Sequence, residues 1–389
     1  MENFKFIPYG RQDITEGDIE AIIKVLRSDF LTQGPVVPEF EKRLCAYTKA
    51  KHAVAVNSCT SALHIACLAL ALGPGDILWT SPVTFVASAN CALYCGATVE
   101  FVDIDPDTIL ISIEKLTEKL ELAEKEGKLP KIVIPVHFSG QPCDMKEMNI
   151  LSKRYGFSII EDAAHAIGAK YYGETIGNCQ YSDITVFSFH PVKIITTGEG
   201  GVAMTNSSLL ADKMELLRSH GITRDPAKMH KKPDGPWYYE QIDLGFNYRM
   251  TDIQAALGIS QLNRLDKYVS RRIEIAEWYD ELFKNVAITP LIQKPNRKSA
   301  HHLYIIKVDD GVSARDFLYN FLITKNIGVN LHYIPVSMQP YFREMTSSDP
   351  LLEAETYYRH TISLPIFPTM TNRTLHRVAE QVIHGLSSR

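Results

Sequence analysis

The sequence predicts an α/β protein: a layered domain on a mostly parallel sheet, then a smaller C-terminal α/β domain. Three observations predict it. Short apolar runs alternate with amphipathic stretches from residue 53 to residue 205. That rhythm breaks at 223–243, where Lys, Arg and Pro-containing turns gather. A capping-box pattern, Thr251-Asp252-Ile253-Gln254, then opens a long helix, after which strand and helix patterns resume. Strands alternating with helices favour parallel pairing, because each crossover helix returns the chain to the same edge of the sheet. The 389 residues suffice for two domains of ordinary size.

Taken in order, the first two helices are predicted at 18–28, from Ile19, Ile22, Ile23 and Leu26, and at 38–49. Strands are predicted at 53–56, 77–80, 98–102, 131–136, 157–161, 184–189 and 201–205, with helices at 84–94, 112–128 and 145–155 between them. The segment 223–243 reads as a mobile, partly cationic loop. A single helix is expected from Thr251 to about Lys284. The C-terminal domain is expected to hold a strand at 303–308, a helix at 313–325, a strand at 328–332 and a final helix at 371–386. The division is drawn at 1–250 and 251–389.

Composition narrows the functional classes. Apolar residues are 45% and charged residues 22%, with a net charge of −4, which excludes a disordered chain and gives no basic excess to hold nucleic acid. The longest apolar run, 62–72, contains His64 and is too short to cross a bilayer. Met1-Glu2-Asn3-Phe4-Lys5 lacks a secretory pattern, so a cytoplasmic protein with no membrane partner is expected. The seven cysteines form no C-x-x-C pair, and several lie in apolar runs. Reduced, mostly buried thiols and no metal site are expected.

Three segments carry candidate chemistry. In Glu161-Asp162-Ala163-Ala164-His165-Ala166, an apolar strand ends in carboxylates. Ligands of open α/β sheets bind beyond such strand ends, and a carboxylate there could hold a ring nitrogen protonated; the alternative is an ordinary N-cap. Strand 184–189 delivers Ser188, and the following turn delivers Lys193 ahead of Thr197-Gly198-Glu199-Gly200-Gly201. A shielded lysine loses its proton near neutrality and can form an imine; the alternative is a surface lysine before a glycine hairpin. Asn57-Ser58-Cys59-Thr60-Ser61 opens a helix, offering N–H groups and hydroxyls to a phosphate or simply capping it. Phe85 could stack on a flat ring or belong to the core.

These segments resemble the sugar aminotransferases of the DegT/DnrJ/EryC1/StrS family. So do Phe30-Leu31-Thr32-Gln33-Gly34-Pro35, Asn247-Tyr248-Arg249-Met250 and Ser363-Leu364-Pro365-Ile366-Phe367-Pro368. The resemblance runs from about Tyr9 to the last helix. It implies the aspartate-aminotransferase type of fold (fold type I), with a large, mostly parallel seven-stranded sheet domain and a homodimer that shares its active sites. It implies pyridoxal 5'-phosphate bonded to Lys193, with Asp162 at the pyridinium nitrogen, His165 by the ring hydroxyl and Phe85 on the ring. Thr60, Ser61 and Ser188 would take the phosphate, joined by Asn247 of a second subunit. Tyr9, Asp29, Phe30, Leu31, Thr32, Cys59, Ser188, Arg249, His332 and Tyr333 would surround a nucleotide sugar.

Within the family, Asp29-Phe30-Leu31-Thr32-Gln33-Gly34, Ser219-His220-Gly221-Ile222 and Asn330-Leu331-His332-Tyr333-Ile334-Pro335 most resemble the branch serving pseudaminic acid synthesis. That branch implies amination at C4 of a UDP-linked 4-keto-6-deoxy-N-acetylhexosamine, with glutamate as donor. The alternatives are a sister enzyme acting on another nucleotide or at C3, a different pyridoxal phosphate enzyme, and a silent relative.

Overall fold

The computed structural model describes residues 5–345 and 350–388, so Met1 to Phe4, in which no secretory pattern is read, lie outside the described residues. Seven strands form the main sheet: β1 (His52–Val56), β2 (Ile77–Thr80), β3 (Thr98–Phe101), β4 (Ile132–Ile134), β5 (Ser158–Asp162), β6 (Ile184–Ser188) and β7 (Gly201–Thr205). Their order is β1-β7-β6-β5-β4-β2-β3. β7 runs antiparallel to both neighbours, and the remaining pairs are parallel. The carboxyl ends of β1, β2, β4, β5 and β6 therefore share one edge with the first residue of β7.

Both faces of this sheet are covered, which explains its continuous apolar strands. Val54, Val56, Leu78, Ile132, Ile134, Ile160 and Val186 pack with helices α3 (Cys59–Ala69), α4 (Ala87–Tyr94) and α7 (Ser208–Arg218). The alternate residues Ala53, Ala55, Trp79, Val133, Ile159 and Phe187 face the opposite core. Helices α2 (Val36–Thr48), α5 (Ile113–Glu126) and α6 (Met145–Tyr155) cover that side. By this period of two, Ile160 and Asp162 lie on one side of β5, and Ile159 and Glu161 on the other.

Helix α1 (Glu16–Leu26) starts at a capping box between Thr15 and Asp18 and packs on α8 (Asp252–Leu262). The Thr251 capping box is present as expected, with Gln254 N–H donating to Thr251 Oγ1 at 3.2 Å. The single helix expected to about Lys284 is instead two, α8 and α9 (Leu265–Leu282). Arg264 sits at the break, where its guanidinium reaches Asp18 at 2.6 Å and the Tyr268 hydroxyl at 2.8 Å.

A second sheet, β8 (Ile288–Pro290), β9 (Tyr304–Val308) and β10 (Thr361–Leu364), is antiparallel and packs with α10 (Val312–Thr324) and the C-terminal helix Asn372–Ser387. Ile7 joins that core, and the Gly328 N–H donates to the Ile7 carbonyl at 2.7 Å. The strand expected at 328–332 is reduced to isolated pairings of Ile327 with Ile7 and of Asn330 with Ser363. The side chains of this stretch serve polar contacts described below.

The loop 223–243 is better organised than its composition suggests. Ile222–Thr223 pairs with Glu240–Gln241. The Glu240 carboxylate accepts from His230 N–H at 2.6 Å, Lys231 N–H at 2.9 Å and the Tyr238 hydroxyl at 2.9 Å. All seven cysteines are free thiols, five of them buried. No helix of the described residues is long and apolar enough to cross a membrane.

Candidate active site

The carboxyl edge of the sheet gathers the candidate chemistry. β5 delivers Asp162, which is 5% exposed. Its Oδ2 accepts from Ser88 Oγ at 2.6 Å and its Oδ1 from Ala164 N–H at 3.0 Å. Ser88 Oγ also lies 2.8 Å from Thr84 Oγ1; since Ser88 donates to Asp162, it accepts from Thr84. Asp162 makes no ion pair within 4 Å among the described residues, so its charge is available to a cationic ligand.

Lys193 follows β6 in a turn held by its N–H to the His190 carbonyl at 2.9 Å. Lys193 is half-buried. Burial pushes its ammonium down to about 8, against the pull of Cys59 and Asp162, which favour the charged form. At neutral pH roughly a tenth of such amines are unprotonated and nucleophilic. Cys59 is raised, first by burial and then by Asp162.

The N-terminus of α3 supplies an anion cradle. Ser58 caps it, accepting from Ser61 N–H at 3.1 Å, and Ser61 Oγ donates to Asn57 Oδ1 at 2.7 Å. Gly201 lies against this turn so closely that a Cβ would come 2.6 Å from the Cys59 nitrogen and the Ser58 carbonyl. Ser188 pairs with Gly201 across β6 and β7 and accepts the His190 N–H at 3.4 Å.

His165 closes the opposite wall. Tyr333 Oη is 3.3 Å from His165 Nε2, and the two rings are nearly parallel at 27°. Buried His165 Nδ1 has no hydrogen-bond partner, so the site holds a polar atom that a ligand would satisfy. Burial, then Lys193 and His332, hold the His165 imidazole well below its usual range and therefore neutral. His332 Nδ1 is 2.8 Å from Ser363 Oγ, and its ring is 5.2 Å from Tyr9. Phe85 is 58% exposed with its ring 6.2 Å from Tyr333, which places it as a free aromatic face rather than in the core.

These features fit pyridoxal phosphate. The donor set includes a depressed lysine, a buried carboxylate without a cationic partner, an orphaned imidazole nitrogen and a helix N-terminus beside a glycine.

The sequence matches the DegT/DnrJ/EryC1/StrS aminotransferase family over residues 12–383. The chain belongs to this family. The spore coat polysaccharide biosynthesis protein SpsC of Bacillus subtilis is 40% identical over 384 residues, 97% of this chain and 96% of its own. The UDP-4-amino-4,6-dideoxy-N-acetyl-beta-L-altrosamine transaminase of Campylobacter jejuni serotype O:2 is 38% identical over 388 residues, 97% and 99% of the two chains. The solved structure of Helicobacter pylori PseC, an aminotransferase involved in the biosynthesis of pseudoaminic acid, superposes with a TM-score of 0.91 at 32% identity. It covers 99% of this chain and 100% of that one. The molecule is thus a pyridoxal phosphate-dependent sugar aminotransferase of the expected α/β type.

In this aminotransferase, Lys193, Asp162, Cys59, His165, His332, Tyr333 and Tyr9 lie close enough to influence one another electrostatically. Thr60, Ser61 and Ser188 line the same edge. Asp29, Phe30, Leu31 and Thr32 form an exposed segment tied to the start of α8 through the Asp252 N–H to the Leu31 carbonyl at 3.0 Å. Asn247 and Arg249 run beside the end of β1. The Asn247 carbonyl accepts from Asn57 Nδ2 at 3.3 Å, its side chain is exposed, and Arg249 bridges Val56.

The sequence reading missed Ser88 and His302, whose ring lies 4.4 Å from that of His165. A signal for Ser88 exists: it follows Phe85 by three residues, one helical turn, just past the end of β2.

Proposed function

We propose that this aminotransferase moves an amino group from glutamate to C4 of a UDP-linked 4-keto-6-deoxy-N-acetylhexosamine. The product is UDP-4-amino-4,6-dideoxy-N-acetyl-β-L-altrosamine, made in the cytoplasm for pseudaminic acid. The observation that carries the chemistry is the meeting of Lys193, lowered to about 8, with Asp162 at one sheet edge. Likeness to the Campylobacter enzyme over 97% of the chain supports the substrate.

When bound, pyridoxal phosphate supplies the electron sink for charge leaving the donor's α-carbon. Lys193 would hold the cofactor through its aldehyde, and its free amine would move a proton from the donor's α-carbon to the cofactor and later from the cofactor to sugar C4. Asp162 would hold the pyridinium nitrogen charged. His165, neutral, would offer Nδ1 to the ring hydroxyl, and Phe85 would cover the ring. Thr60, Ser61, Ser188 and the α3 N–H groups would hold the phosphate.

We assign Asn247 to the phosphate of a second subunit. Tyr9, Asp29, Phe30, Leu31, Thr32, Cys59, Ser188, Arg249, His332 and Tyr333 are assigned to the nucleotide sugar. A homodimer is supported by the exposed apolar row Ile19, Ile23 and Leu26 on α1, followed by exposed Phe30 and Leu31. The division at 1–250 and 251–389 belongs to this reading.

Borohydride reduction of the loaded enzyme should leave a pyridoxyl group on the peptide containing Lys193. Glutamate and a panel of UDP- and dTDP-linked 4-keto sugars should then give an amino sugar from the UDP substrate, with its configuration read by NMR. An adduct elsewhere removes the mechanism. The 40% identity to SpsC favours a second reading, a keto sugar destined for another polysaccharide, and turnover of only a dTDP or C3-keto substrate would establish it.

A further inference from the structure

The carboxylate beside Asp162 in sequence stays out of the site. Glu161 projects to the other side of β5 and is 4% exposed. His137 Nε2 lies 2.6 Å from Glu161 Oε2, and His137 Nδ1 accepts the Cys143 N–H at 3.1 Å. A ring nitrogen that accepts carries no proton, so His137 donates to Glu161 through Nε2. Thr185 Oγ1 donates to Glu161 Oε1 at 3.0 Å, and Ser182 Oγ donates to the same oxygen. Burial opposes charge on Glu161, but these donors outweigh it and hold the carboxyl below its usual range.

The main chain of His137 grips the neighbouring residue. Its N–H donates to the Asp162 carbonyl at 3.0 Å, and the Asp162 N–H donates to the Pro135 carbonyl at 3.0 Å. The turn that follows backs the other side of the site. The Phe138 ring lies 6.0 Å from that of His165 and 6.3 Å from that of Tyr333. A Cβ on Gly140 would come 3.0 Å from the His165 carbonyl oxygen, so this turn is wedged under His165 without slack.

We propose that Glu161 is a positioning residue. Through His137 it locks the turn 137–140 to the end of β5, and this lock fixes Asp162 and His165 where they meet pyridoxal phosphate. The inference rests on the roles given to Asp162 and His165 above. Leucine would fill the volume of Glu161 but strand three donors, of which His137 and Thr185 are buried and need a partner. Glutamine can restore the set, its carbonyl accepting from His137 and its amide donating to the hydroxyl oxygens of Ser182 and Thr185.

Three variants and one spectrum test this. Glu161→Gln should bind pyridoxal phosphate within about threefold of the parent. Glu161→Leu should bind it at least about tenfold more weakly, the loss of one buried hydrogen-bond set, with a shifted visible absorbance of the bound cofactor. His137→Asn keeps an acceptor for the Cys143 N–H but is too short to reach Glu161, and should behave as Glu161→Leu does. Parental affinity and spectrum in Glu161→Leu or His137→Asn overturn the proposal.

Should neither variant fold, nitrogen-15 NMR of the parent enzyme decides. His137 should carry a proton on Nε2, given to Glu161, and none on Nδ1, which accepts the Cys143 N–H; a protonated Nδ1 overturns the lock. Borohydride trapping on Lys193 in the parent enzyme tests the underlying reading separately. An adduct there, with unperturbed variants, rejects the lock alone.

Discussion

Ser88 Oγ donates to Asp162 Oδ2 at 2.6 Å, so a helix on one side of the sheet sets the orientation of a carboxylate delivered by a strand. Both groups are buried, and Thr84 completes the chain of donors. A hydrogen bond to a charged group contributes about 1.5–3 kcal/mol. Ser88→Ala should therefore weaken pyridoxal phosphate binding by about tenfold or more and lower the unfolding midpoint of the apoenzyme. Titration of the apoenzyme by fluorescence quenching measures this.

Lys193 sets a pH dependence. Its ammonium is lowered from 10.5 to about 8 by burial, so the neutral amine becomes the major form only above that value. The rate at which apoenzyme captures pyridoxal phosphate should rise with pH through about 8 and level off above it. The linked stability has the same direction. Between about 8 and 10.5 the unfolded chain binds more protons at this residue than the folded one, so the apoenzyme gains stability as pH rises through that window. Stopped-flow absorbance across the pH range checks the rate. A capture rate that is flat from pH 6 to pH 10 contradicts it.

Most of the sheet was legible in the sequence because buried parallel strands are short apolar runs, rich in β-branched residues and bounded by turn residues. Asp162 and Ser188 stand at the ends of such runs, and Lys193 in the turn that follows the second, so their place at the sheet edge was legible. What the sequence hid was non-local. One 3.6-residue period continues through Asn263, and only the distant Asp18, pairing with Arg264, explains why the helix breaks there. Residues 328–332 look like a strand, but among them only Asn330 pairs, with Ser363, while the side chain of His332 turns to Tyr9 and Ser363 and that of Tyr333 to His165. Glu161 and Asp162 are adjacent carboxylates. Only the pleat of β5 reveals that one faces the ligand and the other a buried histidine.

Three buried imidazoles make the molecule acid-sensitive. Burial is the first cause in His165, His302 and His332, and it brings His332 to about 3. The folded protein keeps these rings neutral where the unfolded chain would protonate them near 6.5. Their contribution is intact above about 6.5 and is lost as the pH falls toward 3. Urea midpoints should drop steeply over that interval, and His332→Gln should flatten the drop. An equally steep fall in the variant would show that other groups are responsible.

Arg272, on α9, is 1% exposed and donates through Nη1 to the carbonyls of His302 at 3.2 Å, His301 at 3.3 Å and Ile366 at 3.0 Å. Burial lowers it to about 10, so it remains charged at neutral pH. It ties the strand that follows His302 to the segment that follows β10. Arg272→Met removes these donors and leaves buried carbonyls unpaired, which should cost about 3 kcal/mol by chemical denaturation. Arg272→Lys keeps the charge but not the planar fork, and should recover only part of that loss.

Gly201 tests the anion cradle most directly. It is the first residue of β7 and carries no left-handed backbone, so its requirement is proximity alone. An added Cβ would sit 2.6 Å from the Cys59 nitrogen and from the carbonyl of Ser58, both main-chain atoms with no flexible end to yield. The α3 N-terminus or β7 must then move, and overpacking of this kind costs about 1–3 kcal/mol. Because Ser188 pairs with Gly201, the displacement reaches the second hydroxyl wall of the same cradle. Gly201→Ala should thus weaken inorganic phosphate and pyridoxal phosphate together, by about tenfold. It should leave the binding of pyridoxal, which lacks the phosphate, nearly unchanged. Isothermal titration with the three ligands separates these outcomes. Equal losses for pyridoxal and pyridoxal phosphate would move the phosphate site away from the start of α3.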